Sequence, residues 1–173
     1  DMEALQLKVS GLERELESTS DAAYNAFMAN SDLGIVVLFM LTGLRCESLE
    51  QLGDEVVKSI MLYGVVPTVR IKIGRDYQYF CQGNVDVNIE EKINAMEGKG
   101  KVVNDKDTYC IFEGDCALMI ENMPIEDVDK CGRLKDNLGT LMQGVSASLH
   151  LIMLSSAAER QKKQMEQLIV RSH

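Results

Sequence analysis

The residues able to do chemistry in this chain are few, and their spacing does not assemble a reaction centre. His150 and His173 are the two histidines, and neither has cysteine or acidic neighbours at zinc spacing. The five cysteines, Cys46, Cys81, Cys110, Cys116 and Cys131, are odd in number and include no Cys-x-x-Cys pair. That is the usage of a reducing cytosol, with thiols serving as small core residues. Cys110 and Cys116 flank a hairpin turn, so no metal site is expected. Gly98-Lys-Gly-Lys101 lacks the spacing and the Ser or Thr of a phosphate-cradling loop and reads as a turn. No Ser-His-acid or Cys-His pairing is legible, and no catalysis is expected. Arg133 and Asp136 stand three apart on a helical pattern, the spacing of an intrahelical ion pair. Alternatively, Asp136 and Asn137 would bind the loop at Met123–Pro124, because short polar side chains favour orphan backbone groups.

These residues need elements to hold them. The 173 residues suit one domain with helical extensions, and the net charge of −9 argues against a nucleic-acid footprint. The longest apolar run, Leu33 to Leu44, is shorter than the roughly 20 residues of a membrane span. The chain opens inside a helical pattern without an initiator Met, as a fragment of a longer protein would.

The centre is the stretch from Asp107 to Met142. Thr108–Phe112 and Cys116–Ile120 are apolar strands joined at Glu113-Gly-Asp115, where glycine suits a turn needing φ > 0. Pro124 stops the second strand, and the acids after it suit the first turn of a helix. That helix is expected from Val128 to at least Leu168. Its stripe Leu134, Leu138, Leu141, Val145 and Ile152 should pack on the sheet. A rotated stripe, Ala147, Leu151, Leu154, Ala158, Met165 and Leu168, should project and pair with another helix. Gly132 and Gly139 lie seven apart, and because helical glycine costs about 1 kcal/mol, a close backbone approach is expected there.

Upstream, residues 2–29 carry Leu5, Val9, Leu12, Leu16, Ala23 and Ala26 at 4-3 spacing, with one gap. The stripe fits a coiled-coil seam or an amphipathic helix packed on its own domain. Leu33–Leu44 is apolar all round and therefore expected to be buried. Periodicity leaves helix and strand open there, and the caps Ser31-Asp32 favour helix. Ser48-Leu-Glu-Gln51 is a capping box, with Leu49, Leu52, Val56, Ile60 and Tyr63 on one face and Gly64 at the end. Val66–Cys81 reads as a hairpin that turns at Gly74-Arg-Asp76. Asn88-Ile-Glu-Glu91 caps a short helix with the stripe Ile89, Ile93 and Met96, and residues 99–103 give a short strand. Antiparallel hairpins with helices gathered before and after define an α+β fold.

Glu121-Asn-Met-Pro124, Gly132-Arg-Leu-Lys-Asp-Asn137 and Asp32-Leu-Gly-Ile-Val-Val37 resemble the module that follows the receiver domain in some proteobacterial two-component response regulators. The resemblance runs from about residue 8 to residue 155. It implies a cytoplasmic, non-catalytic signalling module with a GAF-like or PAS-like antiparallel sheet, N-terminal helices and a long C-terminal signalling helix. It implies a receiver upstream. The apolar stripes at 3-4 spacing predict a parallel homodimer, and the net charge and the short apolar run predict no nucleic acid and no membrane insertion. Residues 1–30 would be a signalling helix, 31–145 the sensory or output domain, and 146–173 a projecting helix. The dimer would use Leu5, Val9, Leu12, Leu16, Leu151, Leu154, Met165 and Leu168. Coupling would run through Glu121, Asn122, Pro124, Arg133, Asp136 and Asn137. The alternative role is a small-molecule sensor, since folds of this kind often hold a ligand between sheet and helices. Arg70, Lys72, Tyr77, Tyr79 and Cys81 are then the candidate lining, although a polar outer face beside ordinary tyrosines gives the same pattern. No cofactor is expected.

Overall fold

The computed structural model describes residues 1–15, 31–85 and 87–172. Leu16, Ala23, Ala26 and His173 lie outside the described residues. Helix α1 covers residues 2–15, and its apolar side chains Leu5, Val9 and Leu12 are exposed. Helix α2 is Asp32–Gly43, capped by the Ser31 hydroxyl, which accepts from Gly34 N. Helix α3 is Leu49–Met61, capped by Ser48, which accepts from Gln51 N. The Gln51 amide reaches back to Glu47 N rather than to Ser48 N, so the box closes one residue early.

Five strands follow: β1 Pro67–Ile73, β2 Asp76–Cys81, then, after helix α4 (Val87–Met96), β3 Val102–Asp105, β4 Thr108–Glu113 and β5 Cys116–Ile120. They form one antiparallel sheet in the order β2-β1-β5-β4-β3. The last helix, α5, runs Val128–Arg171, with Asp127 capping Lys130 N. The fold is α+β, with one five-stranded antiparallel sheet and a long C-terminal helix.

Alternation along the strands gives the sheet two different faces. On the first, Val69, Ile71, Leu118, Ile120, Tyr109 and Ile111 meet α2, α3 and α5 in the main core. The α5 stripe Leu134, Leu138, Leu141, Val145 and Ile152 is buried there. Burying one such side chain is worth about 1.5–3 kcal/mol, so this layer carries most of the stability. On the second face, Cys110, Ala117 and Met119 form a smaller core with Ile93 and Met96 of α4. One short helix covers that face, through side chains rather than close backbone approach.

Several expectations are corrected. Helix α2 is not buried all round: Leu33, Val37, Leu41 and Leu44 face out, because its other side already fills the gap between α3 and α5. Helix α4 starts at Val87, which puts Asn88 inside its first turn rather than at its cap. The short strand begins at Val102, three residues later than expected. Gly132 and Gly139 meet nothing, and the close approaches are Gly53 against the Phe80 ring and Gly144 against the Met40 thioether. One 18-residue window of α5 reaches a mean hydropathy of 1.3, long and apolar enough to cross a membrane by composition. In the fold, the buried part of that window packs as a core helix does.

Candidate functional site

The site grows from strand register. Arg70 pairs across the sheet with Tyr79 on one side and Ala117 on the other, and Phe112 follows Ala117. The neighbouring row reads Cys81, Thr68, Met119, Cys110 and Val103. Lys72 pairs with Tyr77 at the far end. The five candidate lining residues therefore share the second face of the β1–β2 hairpin. They do not share an environment. Lys72 and Tyr77 are exposed, Tyr79 and Cys81 are half-buried, and Arg70 is buried.

Arg70 is the chemically distinctive member, only 4% exposed. Nη1 donates to Asn94 Oδ1 at 3.0 Å, and Nη2 pairs with Glu97 Oε1 at 3.1 Å. The guanidinium stacks over the Tyr77 ring, 4.2 Å from its centroid, with Phe112 at 5.8 Å. Nε is buried and has no hydrogen-bond partner among the described residues. A buried donor left unpaired costs about 1–3 kcal/mol, more when charged. Burial raises the Tyr79 phenol, and the Arg70 charge pulls it back. Burial pushes the Cys110 thiol up to about 12 and also raises Cys81, so neither is primed as a nucleophile.

One row along, about 7 Å by strand rise, a cleft of about 410 Å³ opens between the start of α4 and the ends of β1 and β5. Thr68, Met119 and Ile89 line it with Asn88, Lys92 and Asn122. At its rim Lys92 Nζ meets Glu121 Oε2 at 3.4 Å. Asn122 Oδ1 accepts from Val66 N at 3.0 Å. Sequence reasoning missed Asn94 and Glu97, the partners of Arg70. Their signal was faint: one polar residue in the last turn of a short helix and one just past it.

The expected coupling residues are placed apart. Glu121 and Asn122 tie the β5–α5 loop to α4 and to the chain before β1, and Met123 N donates to Asp107 O. Pro124 O accepts from Asp127 N at the start of α5. Arg133 does not pair with Asp136. Its Nε lies 3.7 Å from Asp32 Oδ2 on α2. Among the described residues no hydrogen bond joins the side chains of Asp136 or Asn137 to the loop. The expected dimer residues Leu151, Leu154, Met165 and Leu168 are exposed on α5. Among the described residues no group of three or more His, Cys, Asp or Glu side chains could hold a metal.

No protein-family profile matches the sequence. No curated protein matches it either. Among solved structures, it is similar to an N-acylhomoserine lactone dependent LuxR family transcription factor, CepR2 from Burkholderia cenocepacia. The two share 15% identity over 70% of this chain and 98% of that one, with a TM-score of 0.46. A likeness of that size bears on neither ligand nor role.

Proposed function

We propose that this chain is a non-catalytic sensory module of GAF-like or PAS-like type. A small molecule binds between the second sheet face and α4, and its presence is passed to α5. The observation that carries this reading is Arg70, a buried cation with an unpaired Nε on a face roofed by one short helix. A face that needed only stability would be covered as the first is, by packed apolar helices. The path outward is short. Lys92 on α4 holds Glu121, and seven residues later Val128 begins α5. In this reading the parent protein is cytoplasmic, carries a receiver upstream, and works as a homodimer through the apolar stripes of α1 and α5.

Native mass spectrometry of gently purified protein tests the proposal, followed by thermal-shift screening of small molecules. A non-covalent adduct, or a ligand raising Tm in wild type but not in Arg70→Met, is expected. Absence of both, or stoichiometric turnover chemistry at the site, overturns it.

A further inference from the structure

Resting on the sensory reading, we infer that the ligand carries a carboxylate and that Glu97 occupies its place when the site is empty. A guanidinium offers two forked edges to a planar anion. In Arg70 the Nε–Nη2 edge is half used. Glu97 takes Nη2 through a single oxygen at 3.1 Å, and Nε beside it has none. The other edge is fixed differently, with Asn94 on Nη1.

The two carboxylates would not be equivalent. Glu97 is 46% exposed and lies just past the last turn of α4, so it can swing into water at little cost. A ligand carboxylate held under α4 would meet Nε and Nη2 together as a bidentate pair. Only one anion is needed, since among the described residues Arg70 is the one buried cation on this face. The apolar remainder of the ligand would extend one row along, into the cleft lined by Thr68, Ile89 and Met119. Displacing Glu97 removes one of the two polar ties between the C-terminal end of α4 and Arg70, leaving the one through Asn94. The Lys92–Glu121 contact on the same helix is then free to shift. Exchange of one counter-ion for another is thus the switching event.

The experiment uses octanoate, 4-phenylbutyrate and benzoate, each against its neutral amide, by calorimetry on wild type, Glu97→Gln and Arg70→Met. At least one carboxylate should bind wild type, and its amide at least tenfold more weakly. Glu97→Gln removes the competitor and should tighten that carboxylate fivefold or more, while Arg70→Met should abolish binding with circular dichroism unchanged. Glu97→Gln stays informative even if Arg70→Met fails to fold, because the Glu97 side chain is half in water. Three results overturn the inference: amides binding as tightly as acids, Glu97→Gln leaving acid affinity unchanged, or no acid binding to either protein. A neutral co-purifying molecule alongside any of these would retain the sensory reading and remove only the carboxylate.

Discussion

Arg70 makes an unusual demand on stability. Replacing a buried ion pair by an apolar side chain of similar volume is often neutral or stabilising, whereas removing one partner strands the other charge. Arg70→Met leaves Glu97, 46% exposed, free to be solvated in place, and is therefore expected within about 1 kcal/mol of wild type, or above it. Glu97→Gln should cost about 1–2 kcal/mol, a loss discounted by the exposure of Glu97. Urea unfolding of both variants measures the order, and the reverse order would mean that Arg70 is held mainly by its ring contacts. The thiols set a second test. Burial pushes Cys110 and Cys116 up to about 12 from an ordinary value of 9. Below 9 both states hold the proton. Above it the unfolded chain releases protons that the folded chain keeps, so stability falls as pH rises from 9 toward 12. Urea midpoints at pH 8, 9, 10 and 11 should decline, and less steeply in Cys110→Ala, Cys116→Ala protein. A flat profile in wild type would show that the thiols ionise in place.

At the scale of elements, local chemistry was legible and distant packing was not. Ser48 with Gln51 announces α3, and the hydroxyl does cap it. Gly114 at φ 57° turns the β4–β5 hairpin where Glu113-Gly-Asp115 placed it. These are short-range facts, fixed by neighbours in sequence. The partners of Arg70 lie 24 and 27 residues downstream of it, beyond any periodicity. Helix glycines show the same divide. Spacing drew attention to Gly132 and Gly139, yet nothing approaches either. The helix that needs glycine is α3, because a methyl at Gly53 would overlap the Phe80 ring. Gly132→Ala and Gly139→Ala should each stabilise by about 0.5–1 kcal/mol. Gly53→Ala should destabilise by about 1–3 kcal/mol, the usual cost of overpacking. Thermal unfolding of the three single variants measures both signs. Equal effects would mean that Phe80 repacks freely.

For the whole molecule, the unspent surface lies on helices. Leu5, Val9 and Leu12 on α1 stay exposed, as do Leu151, Leu154, Met165 and Leu168 on α5. Helix α2 adds Leu33, Val37 and Leu41 at successive turns, a stripe hidden from sequence reasoning by the apolar residues around it. Scattered exposed leucines need no explanation, but helical stripes of them mark contact surfaces. The proposed reading predicts a homodimer through α1 and α5. Light scattering at tens of micromolar should give twice the chain mass, and Leu12→Glu with Leu154→Glu should halve it. Wild type running as a monomer at that concentration would sink the expectation.

Helix α5 has one more consequence, and it is a matter of leverage. Its last buried residue is Ile152, while the helix continues to Arg171. Nineteen residues beyond that fulcrum, at 1.5 Å each, make an arm of about 28 Å. A tilt of about 10° at the fulcrum would sweep the far end through about 5 Å, close to the pitch of one helical turn. Movement too small to disturb the core could thus change which residues of two such arms stand opposite each other.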